Sequence, residues 1–461
     1  MERRRRGYLA VAWLTGVLLV TLPATAAPPR PNIVVIFCDD LGYGDLGCYG
    51  ATDIPTPHLD RLAADGLRFT DFYVPSPVCT PSRAGLLTGR HPLRVGLPRV
   101  LHPHETAGLA ATETTLAEVL HAAGYATGCF GKWHLGHRPE FLPVKHGFDE
   151  SLVIPYSHDM YRGAPWAKPA WTAAWPDSVP LIQGAEEVEQ LRGAAALGGL
   201  TQRFTDAACE FIARLASEPF FLYVPQPLPH QEIFPPPRWR GTAARGPYGD
   251  AVAELDAAVG QILSTLATHG LDRRTLVVVT SDNGPAKVYQ QDLGAGGSAA
   301  PLAGGKGTCQ EGGMRVPCLM RWPGTIPADT TCSAVATVMD LLPTCAGLAG
   351  VASPAGPLDG RDILPLLSDP TTSASPHAAL PYYRGASLEA VRSGRWKLWL
   401  ERRERSPDGT EKREPCRLYD LTADVGETRN VAADHPEIVG ELIAEAQTVR
   451  IPTAAARQRT P

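Results

Sequence analysis

Three short stretches, Ile33 to Phe37, Phe220 to Val224 and Leu276 to Val279, are apolar at nearly every position, and Tyr125 to Phe130 is a weaker fourth. A strand that is apolar without alternation is buried on both faces, which is the condition inside a mostly parallel sheet. Helical periodicity lies around and between them, at Leu59 to Asp65, Leu116 to Ala123, Phe204 to Leu215 and Ala251 to Ala267. Strand alternating with helix predicts an α/β architecture, a large mostly parallel sheet sandwiched by helices. The 45 glycines and 44 prolines show no fixed period, so they predict long shaped loops and exclude a solenoid or collagen. From about Pro381 the pattern changes. Ala390 to Leu400 alternates through Trp396, Leu398 and Leu400, Arg417 to Leu421 reads as a further strand, and Pro436 to Val449 as a helix. The expected division is a main domain over 27–380 and a small C-terminal subdomain over 381–461, an antiparallel sheet packed on one helix.

Residues 1–26 stand apart. Arg3 to Arg6 form a positive start, Tyr8 to Leu22 an apolar run of fifteen, and Ala24-Thr25-Ala26 an A-x-A cleavage site. The run is shorter than the ~20 residues a spanning helix needs, so it reads as a cleaved signal peptide. That predicts export to the periplasm or medium (or to a lysosome in a eukaryote), with no stable membrane insertion afterwards. Cleavage would leave 39 positive and 47 negative side chains. With no basic stripe, nucleic-acid binding is excluded, and an anionic substrate needs a local cationic pocket against the global field. Ten cysteines in an exported chain suggest disulfides, yet no C-x-x-C occurs. Cys38, Cys129 and Cys209 lie in apolar runs and read as small core residues.

In such sheets ligands bind beyond the carboxyl ends of the strands. The four predicted strands lead there into Asp39-Asp40, into Gly131-Lys132-Trp133-His134, into a proline-rich loop with His230, and into Ser281-Asp282-Asn283-Gly284. Asp39, Asp40, Asp282 and Asn283 form an all-oxygen set suited to Ca²⁺ or Mg²⁺. Gly42 to Gly47 matches G-x-G-x-x-G, but the acidic pair before it would repel a pyrophosphate, and a loop through Ile54 to Pro57 follows where the fingerprint requires a helix. Gly305-Lys306-Gly307 lacks both the first glycine and the Ser or Thr of a P-loop. The most specific motif is Cys79-Thr80-Pro81-Ser82-Arg83, followed by Leu87-Thr88-Gly89-Arg90. Pro81 suits a first helical turn and Gly89 a helix stop, which places Cys79 at a helix N-terminus, where backbone N–H groups favour an anion.

C-x-P-S-R with L-T-G-R resembles the type I sulfatase signature, whose cysteine is oxidised to Cα-formylglycine. Asn32 to Asp45, Gly131 to Gly136, Ser281 to Gly284 and Gly305 to Gly307 resemble the remaining family blocks, in family order. Lys145 to Asp149 and Ile154 to Asp159 are similar to the arylsulfatase A and N-acetylgalactosamine-6-sulfatase branch. Cys38 before the aspartate pair departs from the pattern, as does Asp424 to Glu427, which lacks the usual proline. The resemblance implies an alkaline-phosphatase-like fold and a sulfuric ester hydrolase. Its nucleophile is the hydrated aldehyde at position 79, and Ca²⁺, with Mg²⁺ as the alternative, is held by Asp39, Asp40, Asp282, Asn283 and the position-79 diol. Arg83 and Lys132 would hold that diol, and His134 would take the proton that lets sulfate leave. His230, the better acid near neutral pH, and Lys306 would face the leaving oxygen. Ser157 would bind the sulfate, beside Lys132, His230 and Lys306. Its partners would be a sulfated small molecule, glycolipid or glycan and a formylglycine-generating maturation enzyme. Two other readings stay open: a phosphomonoesterase or phosphotransferase of the same superfamily, and a non-catalytic sulfated-glycan binder if Cys79 is never converted. Trp166, Trp171 and Trp175 are either a sugar platform or loop anchors. Asp282, as a rim ligand, is expected to be replaceable by alanine without loss of fold.

Overall fold

A computed structural model describes residues 30–164, 168–286, 296–405 and 411–452. The predicted signal segment 1–26 and Trp166 lie outside the described residues. The main sheet is built from β1 (Asn32–Cys38), β2 (Leu67–Tyr73), β3 (Ala126–Lys132), β4 (Glu150–Ile154), β5 (Val179–Gln183), β6 (Glu186–Leu191), β7 (Phe220–Val224), β8 (Thr275–Ser281), β9 (Arg315–Arg321), β10 (Thr330–Cys332) and β11 (Ala336–Thr337). Their spatial order is β10-β2-β9-β8-β1-β7-β3-β4-β5-β6, with β11 also paired to β2. The centre, β8-β1-β7-β3-β4, is parallel throughout, whereas β9 runs antiparallel to both β8 and β2.

The continuous apolar runs follow from what covers each face. Side chains alternate across a strand. In β1, Ile33, Val35 and Phe37 therefore enter one hydrophobic core while Val34, Ile36 and Cys38 enter the other. The helices Cys79–Thr88, Leu116–Ala122 and Leu341–Leu348 cover the first face, and Pro57–Ala64, Leu200–Arg214 and Pro247–Thr268 the second. With both faces dry, no position of β1 after Asn32 is polar until the strand ends at the Asp39-Asp40 pair. After Gly42 the chain makes two short 3₁₀ turns, and the next helix starts only at Pro57. The phosphate-binding geometry of a G-x-G-x-x-G loop is therefore absent.

Toward the C-terminus, β12 (Leu380–Arg384), β13 (Ser387–Ser393), β14 (Trp396–Trp399), the two-stranded hairpin β15 (Arg402–Arg405) and β16 (Glu411–Glu414), and β17 (Arg417–Asp420) follow. β12-β13-β14-β17 form an antiparallel sheet, and the helix Pro436–Thr448 lays Leu442 and Ala446 onto its Val391, Leu398 and Leu418. The single alternating stretch expected over Ala390 to Leu400 is two strands, because Gly394 at φ 54° reverses the chain between them.

This sheet is fastened to the main one by a buried ion network. The ammonium of Lys397 donates to the Cys309 carbonyl at 2.8 Å and to Glu311 Oε1 at 3.0 Å, and lies 3.2 Å from Glu427 Oε1. Tyr73 from β2 and Tyr382 from β12 both donate to Glu311, at 2.6 and 2.8 Å. Burial alone would raise the Glu311 carboxyl, but Lys397, with Arg315 and Arg392, outweighs it and holds the group below the ordinary glutamate value. A carboxyl depressed in the folded state stabilises above its unfolded pKa, and that contribution is lost as pH falls toward the folded one. Stability is thus expected to erode below about pH 4.3. Lys397→Ala strands two buried carboxylates, and urea denaturation should show a loss of about 3–5 kcal/mol. A loss under 1 kcal/mol would mean that the network does not tie the two sheets together.

All ten cysteines are free thiols, contrary to the expectation of disulfides. Seven are buried, Cys38 and Cys129 among them, while Cys48, Cys209 and Cys416 are half-buried. Apart from Cys79, they act as small apolar side chains in or against cores large enough not to need covalent bridges. Among the described residues, no helix is long and apolar enough to cross a membrane.

Candidate active site

The parallel strands β1, β3, β7 and β8 bring their carboxyl ends to one rim, and the predicted residues meet there. Three non-standard backbone conformations shape the rim. Asp40 and His134 sit at φ 66° and 56°, a region costly for residues with a Cβ and often found where side chains must be aimed. Gly131 has φ 148°, and a Cβ on it would stand 2.0 Å from the Pro225 carbonyl oxygen. That approach lets the Lys132 amide donate to the same oxygen at 2.7 Å. The loop following β7 is thereby held against the end of β3.

Around this backbone the charges interlock. Lys132 Nζ lies 2.5 Å from Asp39 Oδ2 and donates to Ser157 Oγ at 3.1 Å. Arg83 donates to Asp282 Oδ2 at 2.6 Å and to the Lys132 carbonyl at 2.8 Å, with Asp39 Oδ1 at 3.6 Å. Asn283 donates to Asp40 Oδ1 at 2.7 Å, and Lys306 Nζ lies 2.6 Å from that oxygen. The Asp40 amide donates to Asp282 Oδ1 at 3.1 Å. Asp39, Asp40, Asp282, Arg83 and Lys132 are essentially fully buried, and only Lys306 and His230 reach toward solvent, at 19% and 9% of their side-chain surface. The site is a recess with those two residues at its mouth.

Cys79 begins the helix Cys79–Thr88, with Pro81 in its first turn and Gly89 closing it at φ 62°. Its thiol is buried and raised in pKa, by burial first and by Asp39 and Asp282, against the lowering pull of Lys132 and Lys306. The same charges act on the carboxylates. Burial would raise Asp39, yet the Lys132 cation above all, with Arg83 and Lys306, holds it well below the usual range. Burial and the neighbouring Asp39 push Asp282 up to about 7.

The imidazoles are both neutral. Burial and then Lys132 hold His134 well below its ordinary value. Its Nε2 faces the Leu101 carbonyl at 2.9 Å, so that nitrogen carries the proton, and the buried Nδ1, with no partner, is left as the acceptor. Burial, with Lys306, likewise depresses His230, against its expected role as the acid near neutral pH. Lys306 behaves oppositely, since Asp40 outweighs burial and keeps the ammonium protonated.

Two residues at the rim received no role from the sequence. His158 packs against His230 with ring centroids 5.7 Å apart, and Asp159 Oδ2 lies 3.8 Å from His230 Nδ1. Burial raises Asp159 to about 7. Their signal was their place beside Ser157, within the family-like block Ile154 to Asp159. The proposed freedom of Asp282 does not hold either. It is the partner of a fully buried guanidinium, so alanine there would leave Arg83 with the Lys132 carbonyl and, as its remaining carboxylate, Asp39 at 3.6 Å.

The donor set fits a hard cation. Asp39 Oδ1 and Asn283 Oδ1 are buried without a hydrogen-bond partner, although such atoms are almost always satisfied. Donor atoms of Asp39, Asp40 and His230 also lie within 4.8 Å of one another, which adds an imidazole to the oxygen set read from the sequence. Three carboxylates face three cationic side chains here, so the cluster has no spare positive charge for an incoming anion.

The mixed, mostly parallel sheet with a small antiparallel C-terminal sheet is an alkaline-phosphatase-like fold, and the sulfatase family profile matches residues 31–351, so the chain belongs to the sulfatase family. It is a sulfatase enzyme that hydrolyses sulfate esters. A second profile, the C-terminal region of N-sulphoglucosamine sulphohydrolase, matches residues 305–450. The chain is 43% identical to human arylsulfatase A over 92% of its own length and 89% of that protein. It is 40% identical to the N-acetylgalactosamine-6-sulfatase of Canis lupus familiaris, over 82% and 73%. The PsFucS1 sulfatase from Pseudoalteromonas sp. superposes with a TM-score of 0.78 at 26% identity, covering 92% of each chain.

Proposed function

We propose that this sulfatase cleaves sulfate monoesters through a formylglycine made from Cys79, with Ca²⁺ held by Asp39, Asp40, Asp282 and Asn283. The observation that carries this reading is the placement of Cys79: at a helix N-terminus, within the electrostatic reach of Lys132, Lys306, Asp39 and Asp282. When present, the hydrated aldehyde supplies one hydroxyl to attack sulfur and a second whose deprotonation expels sulfate. When bound, the cation supplies the positive charge that the balanced cluster lacks. The chain's own residues do the rest. Lys132 and Arg83 are fully buried and fix the group at position 79. Ser157, held by Lys132, offers its hydroxyl to the sulfate. His134 accepts a proton at Nδ1 in the step that releases sulfate. The leaving oxygen stays at the mouth, where Lys306 neutralises its developing charge and His230 adds a hydrogen bond. Lys306, not His230, is the cation of that pair.

The substrate class is a sulfated small molecule, glycolipid or glycan. We assign residues 1–26 to an export signal, 27–380 to the catalytic domain and 381–461 to a subdomain, in a protein working in the periplasm or outside the cell. Co-production with a formylglycine-generating enzyme should convert the peptide containing residue 79 from thiol to aldehyde in its mass spectrum, with hydrolysis of 4-nitrophenyl sulfate appearing in step. A chain fully converted but inert toward every sulfate ester would overturn the reading.

A further inference from the structure

The turn that carries Lys306 has a second side. Lys306 faces Asp40 in the recess, whereas the residues that follow it, Gly307 to Gln310, line a polar cavity of about 320 Å³ at the seam with the C-terminal sheet. Its other walls include Arg384, Trp399, Arg402, Arg417 and Tyr419. The Gly307 amide donates to the Pro77 carbonyl at 2.8 Å, and Cys79 lies two residues beyond. With Cα atoms 3.8 Å apart along the chain, the rim of the cavity is on the order of 10 Å from the nucleophile.

The cavity's charges favour an anion. Glu427 is committed elsewhere, accepting from Trp399 Nε1 at 2.7 Å and from the Glu311 amide at 2.7 Å while facing Lys397. Glu389 accepts from Arg384 at 2.6 Å. Arg417 stacks on the Trp399 ring at 4.9 Å and has no carboxylate partner among the described residues. An exposed guanidinium seated over an indole is restrained by that contact while its N–H donors stay available, which suits a planar or tetrahedral oxyanion on a sugar ring.

We propose that this cavity binds a second oxyanion, sulfate or carboxylate, on the ring next to the one carrying the scissile sulfate, so that the enzyme selects polyanionic saccharides. The inference rests on the sulfatase reading of the recess for where the first sulfate lies. The test compares two sulfated disaccharides of the same linkage, one with a neutral second ring and one whose second ring bears a carboxylate. Calorimetric titration into Cys79→Ala protein, supplied with Ca²⁺, reads binding without turnover. Parallel inhibition of 4-nitrophenyl sulfate hydrolysis by the matured enzyme reports on the recess itself. The expected result is tenfold or tighter binding of the doubly anionic sugar. That preference should fall to about twofold or less in Arg417→Ala and be partly restored in Arg417→Lys. Equal binding of the two sugars, an undiminished preference in Arg417→Ala, or binding of neither overturns the proposal. Absence of aryl-sulfate hydrolysis with the preference intact would instead overturn the reading of the recess.

Discussion

Cys79→Ser protein, incubated with an aryl sulfate, is expected to release about one equivalent of phenol and then stop. A serine hydroxyl at the start of the helix Cys79–Thr88 meets the same Lys132 and Lys306 cations as the native position. It can therefore attack sulfur, but it has no second hydroxyl from which His134 could draw a proton. The sulfate should remain on the introduced serine as a stable mass increase of one SO3 unit, found in the peptide containing residue 79. Steady-state turnover should fall by ~10³-fold or more, the scale seen when a group acting as part of a catalytic unit is removed. Near-normal turnover would mean that a seryl ester hydrolyses directly at this site. That chemistry belongs to the phosphomonoesterase reading, and the experiment separates the two within one recess.

The second large effect concerns the cation. Chelation followed by metal analysis should abolish hydrolysis, and Ca²⁺ added back should raise the melting temperature as well as restore activity. At a concentration about 100 times its dissociation constant, a ligand specific to the folded state stabilises by ~2.7 kcal/mol. Asp282→Asn is the informative variant, because an amide can still accept one hydrogen bond from Arg83 while a carboxylate charge is lost. It should keep a cooperative melt and lose most of the Ca²⁺-dependent shift. Asp282→Ala should in addition be less stable by about 3–5 kcal/mol, since it uncovers a buried guanidinium. A full thermal shift in Asp282→Asn would remove Asp282 from the ligand set.

β1, β3, β7 and β8 were legible because each is covered on both faces, so burial keeps their middle positions free of charge; β4, which opens on Glu150 and Ser151, was not. Nor were β2 and β9. In β2, Arg68 and Asp71 interrupt the apolar pattern, and β9 contains Pro317 and ends in Arg315 and Arg321. Each of these charges is satisfied in the fold, Arg315 by Asp71 across the sheet at 3.0 Å, Arg321 by Asp272 and Arg68 by the Cys48 carbonyl, and a linear reading sees only polarity. The site shows the same division. Asp39, Lys132, His134 and Asp282 were readable from the strand ends that carry them. The pairing of Arg83 with Asp282 joins residues 199 positions apart, and it turned a presumed rim ligand into the support of a buried charge. The protonation of His230 was equally out of reach, since it depends on burial and on Lys306, 76 positions further along the chain. The Lys397 network likewise requires knowing that β14 lies over the turn at Cys309.

The depth of Cys79 sets an order of events. In the folded chain the thiol is 2% exposed, locked into a ten-residue helix whose every residue is buried. No macromolecular catalyst can close its own active site around a side chain in that position without first dismantling the helix and the core behind it. Any enzyme that rewrites Cys79 must therefore meet it on a chain that has not yet folded. On the proposed formylglycine reading, maturation and folding compete for the same molecule, and the share of active product is decided by their relative rates. A variant that folds faster, or a cell that supplies the modifying enzyme late, would accumulate a well-folded, stable protein that is permanently silent.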